Sequence, residues 1–188
     1  MINLAIFASG SGSNFEAIAT AIQGGKINAN LALLVCDKPE AKVIARAERL
    51  NVPTFVCTPK DYPTRAAHEA AILSALSAAK VDFVALAGYM RIIGDTLLQA
   101  YGGKIINIHP SMLPAFPGMD AIAQAFNSGA NATGVTVHYI DEGVDTGPII
   151  AQRQVDILPG DTLEILEARV HQVEHELYVE VLNEIVTT

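Results

Sequence analysis

The chain has 188 residues, of which 51% are hydrophobic and 17% are charged, a composition that supplies a full core for one domain and excludes intrinsic disorder. Twelve basic and twenty acidic residues give a formal charge of −8, which argues against a function on nucleic acid or on an anionic membrane surface, because both favour basic proteins. No apolar run reaches the roughly 18 residues of a membrane span, and the N-terminal residues do not resemble a signal peptide. We therefore expect a cytoplasmic protein.

Short apolar runs bounded by turn residues predict five strands in the first 110 residues, at 2–8, 31–36, 54–57, 83–87 and 105–109. Amphipathic stretches between them predict helices at 14–22, 41–50 and 64–79. This alternation is typical of a Rossmann-like α/β fold, in which a mostly parallel, twisted sheet has helices on both faces.

The C-terminal third has a different pattern. Residues 135–139 alternate between apolar and polar, and 148–155 follow after a loop rich in glycine and aspartate, which predicts an antiparallel strand pair at the sheet edge. A last helix is predicted from Asp161 or Thr162 to about Ile185, with one apolar face directed at the core. Glu174 lies at the rim of that face, where its side chain can point into a site. We expect a single domain.

A glycine-rich turn joins the first predicted strand to the first predicted helix, with the sequence Ser-Gly-Ser-Gly-Ser-Asn from Ser9 to Asn14. Glycines allow a ligand to approach the backbone, and a helix N-terminus offers free N–H groups, so a phosphate could bind without a lysine. A dinucleotide site is a second interpretation, with Asp37 as the ribose-binding acid, although Phe15 stands where the fingerprint requires a third glycine. A plain tight turn is the third.

Asn107 and His109 close the fifth predicted strand, and because they are two residues apart their side chains project from the same face. Burying two polar side chains there is costly unless they have partners. Asp145 lies in a later loop, and a carboxylate near His109 would orient the imidazole and raise its pKa. An amide donor beside an imidazolium is suited to stabilising an oxyanion during acyl transfer. No serine or cysteine is placed as a nucleophile, so the acyl acceptor would be a substrate atom.

Four segments together resemble the folate-dependent formyltransferases, namely 10–14 (GSGSN), 86–91 (LAGYMR), 107–114 (NIHPSMLP) and 137–147 (VHYIDEGVDTG). The Asn-x-His pair with a later Asp is common to that family, and the Gly-Ser-Asn turn is similar to that of the phosphoribosylglycinamide formyltransferases, or GAR transformylases. The resemblance covers nearly the whole chain. It implies transfer of the formyl group of 10-formyltetrahydrofolate to the amine of glycinamide ribonucleotide (GAR) in purine biosynthesis, without a metal, by a monomer or homodimer.

The resemblance also implies roles for individual residues. Asn107 and His109 would polarise the formyl carbonyl, with His109 as general acid, and Asp145 would raise the pKa of His109 and help to relay a proton. The ribonucleotide would contact Gly12, Ser13, Asn14, Gly88, Pro110, His171 and Glu174. The folate would contact Arg65, Met90, Arg91, Ile92, Ile93, Leu98, Asn107, Ile140, Asp141, Glu142 and Val144. Residues 1–100 would then form the nucleotide- or phosphate-binding half of the domain, and residues 101–188 the catalytic and folate-binding half.

Other functions stay open at the level of the sequence. A formyltetrahydrofolate hydrolase would use the same three catalytic residues with water as acceptor, but usually has an additional N-terminal regulatory domain. A methionyl-tRNA formyltransferase normally has a C-terminal domain and needs a basic surface. The chain could also be a nonenzymatic nucleotide-binding module built on the glycine turn.

Two further histidine patterns have structural interpretations. His171 to His175 match the H-x-x-E-H pattern of some zinc proteases, but no third ligand is evident. We interpret His138, on the edge strand, as structural and His68, on a helix, as facing solvent.

Cys36 and Cys57 lack metal-ligand spacing and are expected to be buried, reduced thiols.

Overall fold

The computed structural model describes residues 1–188 and is built on a seven-stranded sheet. The strands are β1 (Ile2–Ala8), β2 (Ala29–Cys36), β3 (Thr54–Val56), β4 (Phe83–Leu86), β5 (Ile105–His109), β6 (Ala132–Tyr139) and β7 (Ile149–Asp156). Their order across the sheet is β3-β2-β1-β4-β5-β6-β7. The strands from β3 to β5 are parallel, and β6 runs antiparallel to both of its neighbours. The predicted fold class, with an antiparallel pair at one edge, is confirmed.

Six α-helices surround the sheet. They are α1 (Ser13–Gln23), α2 (Lys42–Arg49), α3 (Arg65–Ala78), α4 (Asp95–Ala100), α5 (Ala121–Asn127) and α6 (Leu163–Thr187), with a 3₁₀ turn at Pro59–Asp61. The sequence pattern did not predict α4 or α5, because helices of six and seven residues are too short to show a helical period. None of the helices is both long and apolar enough to cross a membrane.

The alternation of side chains along β1 explains why the core has two parts. Leu4, Ile6 and Ala8 pack on one side of the sheet, where α1, α2, α5 and α6 lie. Ala5 and Phe7 pack on the other side, against α3 and α4. A parallel strand covered on both faces is apolar on both sides, which is why residues 4–8 of β1 form an uninterrupted apolar run in the sequence.

Helix α6 is fixed to the centre of the sheet by a buried tyrosine. The predicted apolar face is confirmed, with Leu166 and Val170 fully buried. The Tyr178 hydroxyl donates to the carbonyl oxygen of Leu86 on β4 at 2.7 Å and lies 3.4 Å from that of Ile106 on β5. Complete burial raises the pKa of Tyr178, so the hydroxyl stays a donor.

Both cysteines are buried and free, as predicted. Cys36 packs in the larger part of the core and Cys57 in the smaller part, on the other side of the sheet. Burial raises the pKa of both thiols, which makes them poor nucleophiles.

The ion pair between Asp161 and Arg169 lies at the start of α6, and it makes the free energy of unfolding depend on pH. Arg169 donates to both carboxylate oxygens at 2.6 and 3.0 Å and, with the Leu158 N–H, lowers the pKa of Asp161 to about 2. A pKa that is lower in the folded state stabilises the fold above the unfolded pKa of about 4. That contribution is lost as the pH falls from about 4 to about 2.

We therefore expect Asp161→Asn to lower the melting temperature at neutral pH, with a difference from the unmutated protein that shrinks towards pH 2. Thermal melts followed by circular dichroism across this range test the expectation. Glu180→Gln is the control, because Glu180 and its partner Arg153 are far more exposed than Asp161 and an exposed pair contributes little. Equal losses in the two variants would contradict the prediction.

Candidate active site

The glycine turn after β1 presents the free end of α1. Gly12 is the N-cap residue in a left-handed conformation, with φ of 79°, and it has no side chain that could accept the first helical N–H groups. Helix α2 holds the turn from the side, since the Val43 N–H donates to the Gly10 carbonyl at 3.1 Å and Arg46 Nε donates to the Ser11 carbonyl at 2.7 Å. The turn is therefore rigid and still has unpaired donors, as an anion site requires.

Helix α6 brings two more of the predicted ribonucleotide residues to this turn. Asn14 Nδ2 donates to Glu174 Oε1 at 3.3 Å, and the other oxygen of Glu174 lies 2.5 Å from His171 Nδ1. This hydrogen bond to Glu174 raises the pKa of His171, which favours an imidazolium beside the turn. Asn14 Oδ1 is buried without a partner. Residues 160 positions apart thus meet, and Asn14 retains an unused acceptor.

The three predicted catalytic side chains lie together on the β5–β6 part of the sheet. His109 Nδ1 is 3.5 Å from Asp145 Oδ2, and the Gly118 N–H donates to the same oxygen at 2.9 Å. The other carboxylate oxygen is 3.6 Å from His138 Nε2, which in turn is 3.4 Å from Asn107 Nδ2. Burial acts to raise the pKa of Asp145, but the contact with His138, the Gly118 N–H and the charge of His109 outweigh it and leave the pKa lowered.

The second nitrogen of His109 is also engaged. Its Nε2 lies 2.8 Å from the Phe116 carbonyl oxygen, and since a carbonyl only accepts, this nitrogen is a donor. Phe116 adopts φ of 50°, a left-handed conformation that is uncommon outside glycine. A substrate oxygen bound to His109 Nε2 would take the place of the Phe116 carbonyl.

The loop that carries Asp145 reaches the site by an unexpected route. In an open parallel sheet, the loop after a strand lies at the carboxyl edge, where ligands bind. Because β6 is antiparallel to β5, it ends beside the start of β5, where the Ile140 N–H donates to the Ile105 carbonyl at 3.0 Å. The loop then returns across the face of the sheet to His109 and closes where the Tyr139 N–H donates to the Pro148 carbonyl at 2.9 Å.

Apart from Asn107 on β5, the predicted folate residues lie in two loops, on α4 and at the start of α3. Residues 88–93 connect β4 to α4, residues 140–144 follow β6, Leu98 packs from α4 against the core, and Arg65 begins α3. Met90, Ile92 and Val144 are exposed apolar residues, with 63%, 59% and 54% of their surface accessible. Exposed apolar side chains on neighbouring loops are typical of a ligand-binding surface.

The segment 88–93 is joined to the glycine turn and to β2. Ser9 contributes twice, since its N–H donates to the Gly88 carbonyl at 3.1 Å and its Oγ accepts the Met90 N–H at 2.9 Å. Arg91 Nε donates to Asp37 Oδ2 at 3.3 Å. The other oxygen of Asp37 is buried without a partner. Asp37, an alternative ribose-binding acid in the sequence, is therefore paired with a predicted folate residue.

A cavity of about 510 Å³ lies between this segment and α3, lined by residues that include Tyr62, Arg65, Tyr89 and Arg91. A larger and more open groove, of about 670 Å³, lies around Asn30, Asn51 and Ala78 and includes none of the predicted site residues. The smaller cavity is lined by predicted folate residues, namely Arg65 and residues 90–93, and by none of the three predicted catalytic residues.

Two histidines differ from their sequence interpretations. His68 is buried rather than facing solvent, with Nε2 2.8 Å from the Cys57 carbonyl. It belongs to an alanine-rich helix whose weak amphipathic contrast does not show which side is buried. His138 is fully buried, as a structural residue would be, but it also contacts Asp145. Its position opposite Asn107 in the antiparallel ladder depends on a register that the sequence does not give.

The fold and the site together define a class of protein. A sequence model of the formyl transferase family matches residues 2–182, which is nearly the whole chain. The chain therefore belongs to the formyl transferase family.

Individual relatives are more specific. The chain is 58% identical to the phosphoribosylglycinamide formyltransferase of Bacillus subtilis (strain 168), over 98% of this chain and 95% of that protein. Its structure is similar to the crystal structure of glycinamide ribonucleotide transformylase 1 from Geobacillus kaustophilus, with a TM-score of 0.96, 63% identity and 98% of each chain covered. It is also 41% identical, over 92% of its length, to the trifunctional purine biosynthetic protein adenosine-3 of Drosophila pseudoobscura pseudoobscura, of which it covers 13%.

Proposed function

We propose that this protein is a phosphoribosylglycinamide formyltransferase, which transfers the formyl group of 10-formyltetrahydrofolate to the amine of GAR in purine biosynthesis. The observation that carries the proposal is the contact of His109 with Asp145, on the strand face that also holds Asn107. Identity above one half to a relative of that name, over both full lengths, supports the choice of this reaction within the family.

The substrate amine acts as the nucleophile in this mechanism. It attacks the formyl carbon, a carbon–nitrogen bond forms, and the electron pair of the carbonyl moves onto its oxygen. Asn107 Nδ2 and His109 Nε2 donate hydrogen bonds to that oxygen, and the negative charge developing on it strengthens both bonds. The oxygen replaces the Phe116 carbonyl as the partner of His109.

Collapse of this intermediate completes the transfer. The electron pair returns from the oxygen, the bond from the formyl carbon to N10 of the folate breaks, N10 gains a proton and the attacking amine loses one. Asp145 holds His109 through Nδ1 and stabilises its charged form, which is the role of the carboxylate in a proton relay. The products are formylglycinamide ribonucleotide and tetrahydrofolate.

The ribonucleotide binds at the glycine turn in this proposal. Its phosphate accepts hydrogen bonds from the free N–H groups of Gly12, Ser13 and Asn14 at the start of α1, with the His171 imidazolium nearby. Its ribose hydroxyls reach Glu174. The unpartnered Asn14 Oδ1 supports a ligand with hydroxyl donors there. Gly88 and Pro110 line the same side.

The formyl donor binds across the remaining loops. The exposed apolar side chains of Met90, Ile92 and Val144 cover its rings, the backbone of residues 140–144 takes the pterin, and Arg65 and Arg91 are near its anionic end. Ile93, Leu98, Asp141 and Glu142 complete the set predicted from the sequence. We propose that only small molecules are partners and that the enzyme works in the cytoplasm as a monomer or homodimer.

One assay distinguishes this function from its alternatives. Purified protein is mixed with 10-formyltetrahydrofolate, with and without GAR, and the release of tetrahydrofolate is followed spectrally. We expect release that requires GAR. Release without GAR would identify a hydrolase that uses water, and no release in either mixture would favour a nonenzymatic nucleotide-binding module.

The phosphate assignment predicts a separable kinetic effect. Ser13→Ala combined with Asn14→Ala keeps the backbone N–H groups and removes the side-chain hydroxyl and amide, which are further donors to the phosphate in this proposal. It should raise the KM for GAR by roughly 10- to 100-fold, because hydrogen bonds to a charged group contribute about 1.5–3 kcal/mol. The kcat should change little, since these groups bind the phosphate equally in the ground and transition states. Steady-state kinetics at varied GAR measure both. Thr20→Ala, an exposed position later on α1, is the control, and an equal KM increase there would contradict the assignment.

A further inference from the structure

The segment 90–93 runs directly into α4, and the start of that helix has no cap of its own. Its N-cap residue is Gly94, which has no side chain to accept the first helical N–H groups. Glu69 of α3, 25 residues earlier, supplies the acceptor. Its Oε2 accepts the Gly94 N–H at 2.6 Å, and its Oε1 faces the Leu97 N–H at 3.4 Å.

The environment of Glu69 fits a fixed role as a cap. Its side chain is only 6% exposed, and a buried carboxylate is costly unless donors surround it. The positive end of α4 provides such donors and favours the negative charge. The approach is also close, because a Cβ atom on Gly94 would lie 2.9 and 3.0 Å from the two carboxylate oxygens.

Arg65 extends this connection to the middle of the segment. Its Nε is 4.0 Å from Glu69 Oε2, and its Nη2 donates to the Ile92 carbonyl at 2.7 Å. Glu69 and Arg65 are four residues apart on α3 and therefore lie on the same side of the helix. Helix α3 thus holds the segment at two points, with Arg65 at Ile92 and Glu69 at Gly94.

We propose that Glu69 is a positioning residue for the formyl-donor site, which fixes the path of residues 90–93 by capping α4. The proposal rests on the function proposed above, because it requires that this segment contacts the folate. Met90 and Ile92 expose their apolar side chains to solvent, so little packing holds these side chains in place. Their positions therefore depend on how firmly the backbone of this segment is fixed. Loss of the cap therefore weakens binding of the donor and leaves the chemistry at His109 intact.

The kinetic test compares Glu69→Ala and Glu69→Gln with a control carboxylate. Glu69→Ala should raise the KM for 10-formyltetrahydrofolate by about tenfold, and Glu69→Gln should raise it less, because one acceptor oxygen remains. The KM for GAR and the kcat at saturating donor should stay within about twofold of the unmutated enzyme. Asp82→Asn should change neither KM, because Asp82 accepts the Asn3 N–H at 2.8 Å in a part of the sheet remote from the site.

Two further measurements test directly whether Glu69 acts on binding of the donor and on the start of α4. Titration calorimetry with tetrahydrofolate alone should show the same weakening as the KM, and hydrogen exchange at the Gly94 and Leu97 amides should be faster in Glu69→Ala. Equal increases in both KM values, or unchanged exchange at both amides, would overturn the proposal. Should Glu69→Ala not fold, Glu69→Gln provides the same comparisons.

Failure of the proposed function would look different. A protein that binds tetrahydrofolate but does not form formylglycinamide ribonucleotide would refute the transferase, while the calorimetry would still decide the role of Glu69. A protein that does not bind tetrahydrofolate at all would refute both.

Discussion

Asp145→Asn should lower the kcat by roughly 10³- to 10⁴-fold and leave the affinity for GAR nearly unchanged. The substitution keeps an oxygen for the Gly118 N–H but removes the negative charge that faces His109 Nδ1 at 3.5 Å. Without that charge, the positive form of His109 loses its partner as the oxyanion forms. Stopped-flow and steady-state assays of tetrahydrofolate release measure the loss, and calorimetry measures GAR binding.

Asp120→Asn is a matched control for this substitution. Both aspartates adopt a left-handed backbone, with φ of 55° for Asp145 and 56° for Asp120, and asparagine tolerates that conformation. Asp120 is exposed and its side chain caps no helix. A fall in kcat of similar size in the control, or near-normal turnover of Asp145→Asn, would refute the role of Asp145.

Because the pKa of Asp145 is lowered, its carboxylate stays ionised well below neutral pH. Titration of Asp145 therefore does not limit activity near pH 6. An acid limb in the kcat profile at that pH would therefore belong to a group other than Asp145.

Gly12→Ala should destabilise the fold by about 2–5 kcal/mol, because the added methyl group meets both a steric clash and an unfavourable backbone conformation. The new Cβ would lie 2.4 Å from Val43 Cγ2 and 2.9 Å from Val43 Cα, and alanine would be strained at φ of 79°. Relief of the clash requires α2 to move away from the turn. The KM for GAR should rise as well, because the same turn directs the free N–H groups of α1.

Gly10→Ala provides the comparison from within the same turn. A Cβ there would meet no atom within 4 Å, and Gly10 does not have a positive φ. Urea unfolding should therefore place Gly10→Ala close to the unmutated protein and Gly12→Ala far below it. Similar urea midpoints for the two variants would contradict the prediction, because they would show that the turn rearranges around the added methyl group at little cost.

The predictable part of the fold is the part governed by local patterns. Strands β1 and β5 were predicted with their observed bounds, because strands buried on both faces are mostly apolar between turns, even where a polar residue such as Asn107 interrupts the run. The antiparallel pair was predicted from alternation, but its register was not, so the contact of His138 with Asp145 did not emerge from the sequence. The return of the 140–148 loop across the sheet face depends on strand direction, which no local pattern specifies.

The same distinction between local patterns and long-range contacts applies to the residues of the site. Residues with chemically distinctive types in short motifs, such as Asn107 and His109, could be proposed from the sequence. Glu69 could not, and Asp37 was proposed only as the ribose-binding acid of a dinucleotide site. The partners of both carboxylates are backbone groups or side chains tens of residues away, which no local pattern shows. A carboxylate on an alanine-rich helix looks like a solvated residue until the packing of that helix is known.

The hydroxyl of Tyr178 sets the rotational position of α6. Apolar packing does not depend on bond direction, whereas a buried hydroxyl has its donor satisfied only where a carbonyl oxygen faces it. Glu174 is one turn earlier on the same side of α6, so the rotation that places Tyr178 against Leu86 also aims Glu174 at Asn14. A single polar atom in the core therefore contributes, with the apolar packing around it, to the angle at which the helix meets the phosphate turn.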